Sequence, residues 1–182
     1  MPTNDFGIRI RPARRADIPA IVKVCTTSVS DEEVVGFGGP ISESPFGDSA
    51  RLSSAWREPN HVGSEEVLVA EIDGRVVGCV AVEDRGEELE LIDIDVPRDR
   101  QGRGIGTGLV RFVEERAREQ GKRAVTLGTS RNSAGVPWKS FPWWQARGYR
   151  VTHEEENAYT RSVGPGVLEI RMRKNLFKGN AG

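Results

Sequence analysis

The sequence predicts an α/β fold, because strand-like and helix-like patterns alternate along its 182 residues. Three observations carry that reading. A β-branched run, Leu89-Glu-Leu-Ile-Asp-Ile-Asp-Val96, passes through the string Pro97-Arg-Asp-Arg-Gln-Gly-Arg-Gly-Ile-Gly106 into a helical pattern. That helical pattern, over 106–120, carries Leu109, Val113 and Ala117 in four-residue spacing with Ile105 just before it. Finally, Asp73-Gly74 separates two apolar β-branched runs, a strong signal for a two-residue hairpin. No repeat, low-complexity segment or linker interrupts the chain, so one domain over 1–176 and a polar tail over 177–182 are expected.

The elements follow in order. A first strand over 7–11 is stopped by Pro12. Asp17 is placed to cap a helix with Ile18, Ile21, Val22 and Cys25 on one face, and Pro19 is tolerated in its first turn. Between 26 and 64 the pattern dissolves, apart from a short helical candidate over 49–57. Strands over 66–72 and 75–82 flank Asp73-Gly74, and a turn over 84–87 leads into a third strand ending at Val96, which makes an antiparallel meander. Gly121 caps the central helix and 124–127 is a short buried strand. After an irregular stretch over 129–142, a short helix over 143–147 ends at Gly148, and final strands over 149–154 and 167–173 flank a loop.

Composition excludes several classes of function. Charged residues make up 29% of the chain but the net charge is −1, which gives no overall pull towards nucleic acid or membrane. No apolar run approaches the ~20 residues that span a bilayer, and the opening Met-Pro-Thr-Asn-Asp-Phe lacks the regions of a signal peptide, so a cytoplasmic location is expected. Cys25 and Cys79 fall in apolar patterns and read as buried free thiols rather than a disulfide or a nucleophile. His61 and His153 have neither metal spacing nor a triad partner, and no metal is expected.

The glycine string is the chemical centre of the sequence. Glycines at 102, 104, 106 and 108 let successive N–H groups converge on phosphate oxygens, and the following helix adds its positive N-terminal end. Each glycine weakens the start of a helix by up to ~1 kcal/mol relative to alanine, a loss that close contact with a ligand offsets. A dinucleotide fingerprint fails because Thr107 and Leu109 stand where its last glycine falls, and no Walker A string occurs. Arg98 and Arg100 serve a phosphate or face water.

Read as Gln101-Gly-Arg-Gly-Ile-Gly106, the string fits Arg/Gln-x-x-Gly-x-Gly/Ala. With its run-up Ile94-x-Val96-Pro97 it resembles the signature of the GNAT superfamily of acetyltransferases. The resemblance extends to Arg9-Ile-Arg-Pro12 with Ala16-Asp-Ile-Pro-Ala-Ile21, to Val67 through Val80, and to Leu168-Glu-Ile-Arg-Met172. It implies a mixed, mainly antiparallel central sheet of about seven strands, helices on both faces, and a splay between strands four and five. Acetyl-CoA would be the acyl donor there, its pantetheine arm on the backbone of Ile94 and Val96. Its pyrophosphate would lie on Gln101, Gly102, Arg103, Gly104, Gly106 and Thr107. Asn132 matches an asparagine that touches the same arm in many relatives, or is a turn residue.

The resemblance also implies direct transfer of the acetyl group to an amine in a ternary complex. The expected acceptor is a small-molecule amine; a protein N-terminus or lysine, or a non-catalytic acyl-CoA-binding regulatory domain, are the alternatives, and a homodimer is left open. A protonated amine needs a base. Glu90 matches the catalytic glutamate of the histone-acetylating branch, with Asp93 or a solvated edge carboxylate as the other readings. Relatives commonly carry a tyrosine acid where this sequence has Trp144, so Tyr159 is the candidate acid, or else a packed aromatic lining the acceptor site. Trp138, Phe141, Trp143 and Trp144 pack the core or wall a pocket, and Asp31-Glu-Glu33 and Glu154-Glu-Glu156 are solvated runs or attract a cationic amine.

Overall fold

The computed structural model describes residues 7–28 and 44–177. The acidic run at 31–33 and all of the tail after Phe177 lie outside them. The chain opens with β1 (Arg9–Pro12), a 3-10 turn over Arg15–Asp17 and α1 (Ile18–Ser28). Then come α2 (Ser49–Ala55), β2 (Trp56–Arg57), β3 (His61–Val62), β4 (Glu65–Ile72), β5 (Arg75–Asp84) and β6 (Glu88–Asp95). The second half is α3 (Ile105–Glu119), β7 (Ala124–Arg131), α4 (Ser140–Gln145), β8 (Arg150–Glu155), α5 (Ala158–Val163) and β9 (Leu168–Asn175).

The strands form one sheet in the order β2-β3-β4-β5-β6-β7-β9-β8, with β1 paired to β4. Every pairing is antiparallel except β6 with β7. This is the expected mixed, mainly antiparallel sheet; it has nine strands rather than seven because β2 and β3, of two residues each, add to its edge. The parallel ladder runs only from Glu88 opposite Ala124 to Leu91 opposite Leu127, although β6 continues to Asp95 and β7 to Arg131.

Alternation along the strands builds a core on each face. Val67 and Val69 of β4 with Cys79 and Ala81 of β5 pack against Ile18, Ile21, Val24 and Cys25 of α1 and Leu52 of α2. Leu68 and Ala70 with Val80 and Val82 face the other way, onto Ile105, Leu109, Val113 and Ala117 of α3. A Cβ on Gly78 would come 2.9 Å from Ile105 Cγ2, so this glycine is what lets the first turn of α3 rest on β5. Both cysteines are buried and free, as the sequence suggested.

The hairpin at Asp73-Gly74 forms with both residues at positive φ and Ile72 opposite Arg75. Gly121 caps α3 as a left-handed residue, with Lys122 N–H donating to the Ala117 carbonyl at 2.8 Å. Other expectations change. Asp17 does not cap α1: its carboxylate accepts from Arg14 N–H at 2.7 Å, closing the 3-10 turn, and takes the Arg11 guanidinium at 2.7 and 3.0 Å. Val24 rather than Val22 completes the buried face of α1, and Val22 is only half-buried. The loop after β8 holds the helix α5, started by an Asn157–Thr160 capping box. Among the described residues no helix is long and apolar enough to cross a membrane.

Candidate active site

The glycine string emerges from β6 as a 3-10 turn over Arg98–Arg100 and reaches α3 through Gly102 and Gly104, at φ 73° and 81°. A side chain at either would be strained, so glycine is needed here for backbone shape. Gln101 Nε2 donates to the Val96 carbonyl at 2.9 Å and so braces the loop on the end of β6. Together they wall a cleft of about 480 Å³ with Ile94, Val96, Arg100, Ser140, Trp143 and Arg147.

Of the residues expected to hold a coenzyme, Ile94, Val96, Gln101, Gly102, Gly104, Gly106 and Thr107 all line this cleft. Two do not. Arg103 is exposed and off the wall, whereas Arg100, three residues earlier, is on it. Asn132 sits in the turn after β7, where its Oδ1 accepts from Ala134 N–H at 3.0 Å and Val136 N–H at 2.9 Å, which is the turn reading of that residue.

Arg147 is a wall residue that sequence spacing did not reveal. It comes from the end of α4, and its guanidinium lies 3.4 Å from the Trp143 ring centroid and donates to Thr107 Oγ1 at 2.6 Å. Its Nε is buried without a hydrogen-bond partner. Burial, then the charge of Arg111, lowers its pKa, and the charge of Glu114 only partly opposes them. The only hint in the sequence was an arginine beside the aromatic cluster. That cluster serves both readings: Trp144 is 4% exposed and meets Trp143 and Tyr149 edge-on in the core, while Trp143 walls the cleft.

Where the parallel ladder ends, a second cavity of about 50 Å³ opens between β6 and β7, lined by Ile92, Asp93, Ile94, Gly128, Thr129 and Trp138 among others. Trp138 is 4% exposed and its Nε1 has no hydrogen-bond partner. A bulge precedes this gap: β5 pairs Ala81 with Asp93 and Val82 with Leu91, so Ile92 is the extra residue. Without it, Glu90 and Asp93 would point to opposite faces. With it, Glu90, Asp93 and Asp95 share the α1 face, while Leu89, Leu91, Ile94 and Val96 all pack towards α3.

The two candidate bases differ in their partners. Glu90 is held by two guanidinium groups, Arg85 Nε at 2.8 Å and Arg171 Nη2 at 2.6 Å. Asp93 lines the gap. It is exposed by area, yet protein surrounds the carboxyl; that loss of hydration, then the charge of Asp95, pushes its pKa well above the usual carboxylate range. Asp95 is raised as well, by burial, against hydrogen bonds from Ser28, Cys25 and Asp93. Tyr159 stands on α5, 42% exposed, with its pKa pushed up to about 12 by burial and then by the charges of Asp93 and Glu169. These three side chains therefore feel one another across a common space. Tyr149 is buried and donates to Glu114 at 3.1 Å, away from the gap.

Comparison with known proteins agrees with this architecture. Residues 28–136 match the family model described as the acetyltransferase (GNAT) family. A probable N-acetyltransferase camello from Xenopus tropicalis is 46% identical over 78 residues, 40% of this chain and 36% of that protein. The chain spans less than two thirds of the length of the curated relatives it matches. The fold resembles Ard1 from Thermoplasma volcanium, with a TM-score of 0.66 at 18% identity over 94% of this chain and 99% of that one. It also resembles the PaiA N-acetyltransferase of Thermoplasma acidophilum in complex with coenzyme A, with a TM-score of 0.63 at 17% identity over 92% and 98%. A glycine loop between strand and helix, a parallel pair that parts at its middle, and a family match over more than half its length make this chain a member of the GNAT acetyltransferase family.

Proposed function

We propose that the protein transfers the acetyl group of acetyl-CoA directly to the amine of a small cationic molecule, both substrates being bound together. The observation that carries this is the parting of β6 from β7 after Leu91 and Leu127, beside the glycine-walled cleft. Ile94 and Val96 line that cleft beyond the last rung of the ladder, where the pantetheine amides would run as a neighbouring strand does. Loop N–H groups and the start of α3 suit the pyrophosphate, and Arg100 and Arg147 suit its charge. The orphan Nε1 of Trp138 and Nε of Arg147 are buried donors of the kind a bound coenzyme would satisfy.

Chemistry in this reading falls to Asp93. A carboxylate with a raised pKa accepts a proton from an ammonium group better than an ordinary one, and the gap it lines is where the thioester would lie. The freed amine attacks the thioester carbon, the C–S bond breaks as the thiolate of coenzyme A leaves, and the second amine proton passes to that thiolate, directly or through water. Glu90, tied to Arg85 and Arg171, would hold Arg171 and the end of β6 in position. Tyr159 is a poor proton source: moving a proton from a phenol at about 12 to a thiolate of pKa near ~8.5 is uphill by several pKa units. It would instead line the acceptor site, with Asp93 and Glu169 supplying negative charge for a cation. No side-chain acid is required, because a thiolate is a good leaving group.

Calorimetric titration with acetyl-CoA, combined with a thiol-release assay over small amines, polyamines and N-terminal peptides, tests the proposal. Binding with thiol release towards small cationic amines is expected. Binding without release for any acceptor would mark an acyl-CoA-binding domain, and release only with peptides would move the acceptor to proteins.

A further inference from the structure

Behind the coenzyme cleft, polar groups from three elements meet in the core that α1 forms with the sheet. Cys25 Sγ of α1 lies 3.5 Å from Cys79 Sγ of β5 and 3.5 Å from Asp95 Oδ2 of β6. These three donor atoms fall within 4.8 Å of one another. The other Asp95 oxygen accepts from Ser28 Oγ, and Ser28 and Asp95 both line the cleft, so the cluster lies directly behind the cleft wall. Two thiols in contact are ordinary apolar packing. A carboxylate turned onto one of them, in a half-buried position, is not, because burial disfavours its charge.

Two of the three donor separations are close to those of a coordination shell, and the third, Cys79 to Asp95, lies within 4.8 Å. A tetrahedral zinc ion, with Zn–S about 2.3 Å and Zn–O about 2.1 Å, separates its donors by about 3.8 Å for S–S and about 3.6 Å for S–O. The observed 3.5 Å separations need only a few tenths of an ångström of outward movement, within the reach of small side-chain rotations. Two sulfurs and one oxygen select a thiophilic ion over Mg²⁺ or Ca²⁺, which take oxygen shells.

We propose that Cys25, Cys79 and Asp95 form a binding site for a thiophilic divalent cation, Zn²⁺ by its donor set, with a fourth position facing Ser28 and the cleft. As the two metal–sulfur bonds form, each thiol releases its proton to solvent, and the ion's two positive charges offset the two thiolates, leaving the site with the single negative charge that Asp95 carried. Bound metal ties α1, β5 and β6 together at the point where β6 enters the coenzyme loop. Its role is independent of the acetyl-transfer reading.

Titration of the freshly reduced protein with Co²⁺ tests the site. The expected result is uptake of one equivalent, with the visible bands of a tetrahedral ion and sulfur-to-cobalt charge transfer, both removed by Zn²⁺. Cys25→Ser and Cys79→Ser should each weaken binding at least ~100-fold, beyond what loss of an outer-shell contact costs, and Asp95→Asn should weaken it too. Should a variant fail to fold, Zn²⁺ must slow labelling of both thiols in the unaltered protein. No saturable uptake by the reduced protein, an octahedral spectrum, labelling unaffected by Zn²⁺, or undiminished uptake in a folded Cys25→Ser/Cys79→Ser variant overturns the proposal. So does a protein that only closes a Cys25–Cys79 disulfide in air.

Discussion

Glu90 and Asp93 lie three residues apart on one strand, and the proposed chemistry rests on how their surroundings differ. A carboxylate between two arginines is fixed and fully occupied; one lining a gap beside a second carboxylate is ready to take a proton. Asp93→Asn should lower kcat by about 100-fold or more with the KM for acetyl-CoA nearly unchanged, and part of the loss should return as rising pH supplies free amine. Glu90→Gln should lower kcat by less than about 10-fold in the same assay; a 100-fold loss there with Asp93 intact would return the base to Glu90. Because the Asp93 pKa is raised in the folded state, its contribution to stability is present below the ordinary carboxylate pKa and is lost as pH rises through the raised value. Asp93→Asn should therefore match the wild type in Tm near pH 4 and exceed it near pH 8, by calorimetry at both pH values. Tyr159→Phe should cost at most about 10-fold in kcat, whereas Tyr159→Ala should raise the acceptor KM.

At the scale of elements, α3 and α4 meet the end of β6 to make the cleft proposed for the coenzyme, and single contacts hold each in place. Gly104 caps α3 at φ 81°, so Gly104→Asp adds backbone strain and a charge facing phosphate, and acetyl-CoA binding should be lost by titration while the circular dichroism of the fold persists. Arg147 links α4 to α3 through Thr107. With a charge-assisted bond to phosphate worth about 1.5–3 kcal/mol, Arg147→Ala should raise the KM for acetyl-CoA by about 10- to 100-fold and leave kcat within a few-fold. An unchanged KM would detach α4 from coenzyme binding.

The whole molecule is a twisted sheet with a helical layer on each face, and the pairing of β6 with β7 ends partway along both strands, where the proposed active site lies. A ligand filling that gap binds only the folded chain. Acetyl-CoA at 100 times its Kd should therefore add about 2.7 kcal/mol and raise Tm by about 5–10 °C, measured by scanning calorimetry. Gly78→Val, which pushes Ile105 and the start of α3 off β5, should reduce that ligand-induced rise more than a substitution of equal size elsewhere on β5.

Much of this was legible in the chain because the physics is local. The Asp73-Gly74 hairpin, the apolar spacing of α3, the left-handed cap at Gly121 and the glycine turn that leads into α3 depend on residues within one turn of each other, and the sequence alone determined them. The site's chemistry was decided by contacts between segments distant along the chain. Whether Glu90 and Asp93 share a face depended on one bulged residue, Ile92, and strand parity cannot announce a bulge. That Glu90 is clamped depended on Arg171, 81 residues away, and Arg147 reached the cleft only because α4 folds back onto Thr107, 40 residues before it. Asp17 looked like a helix cap until Arg11 and Arg14 claimed its carboxylate. Local pattern fixed where backbone had to bend; tertiary packing decided which charges met there, because charge partners are chosen by distance in space and a one-residue shift in register exchanges them.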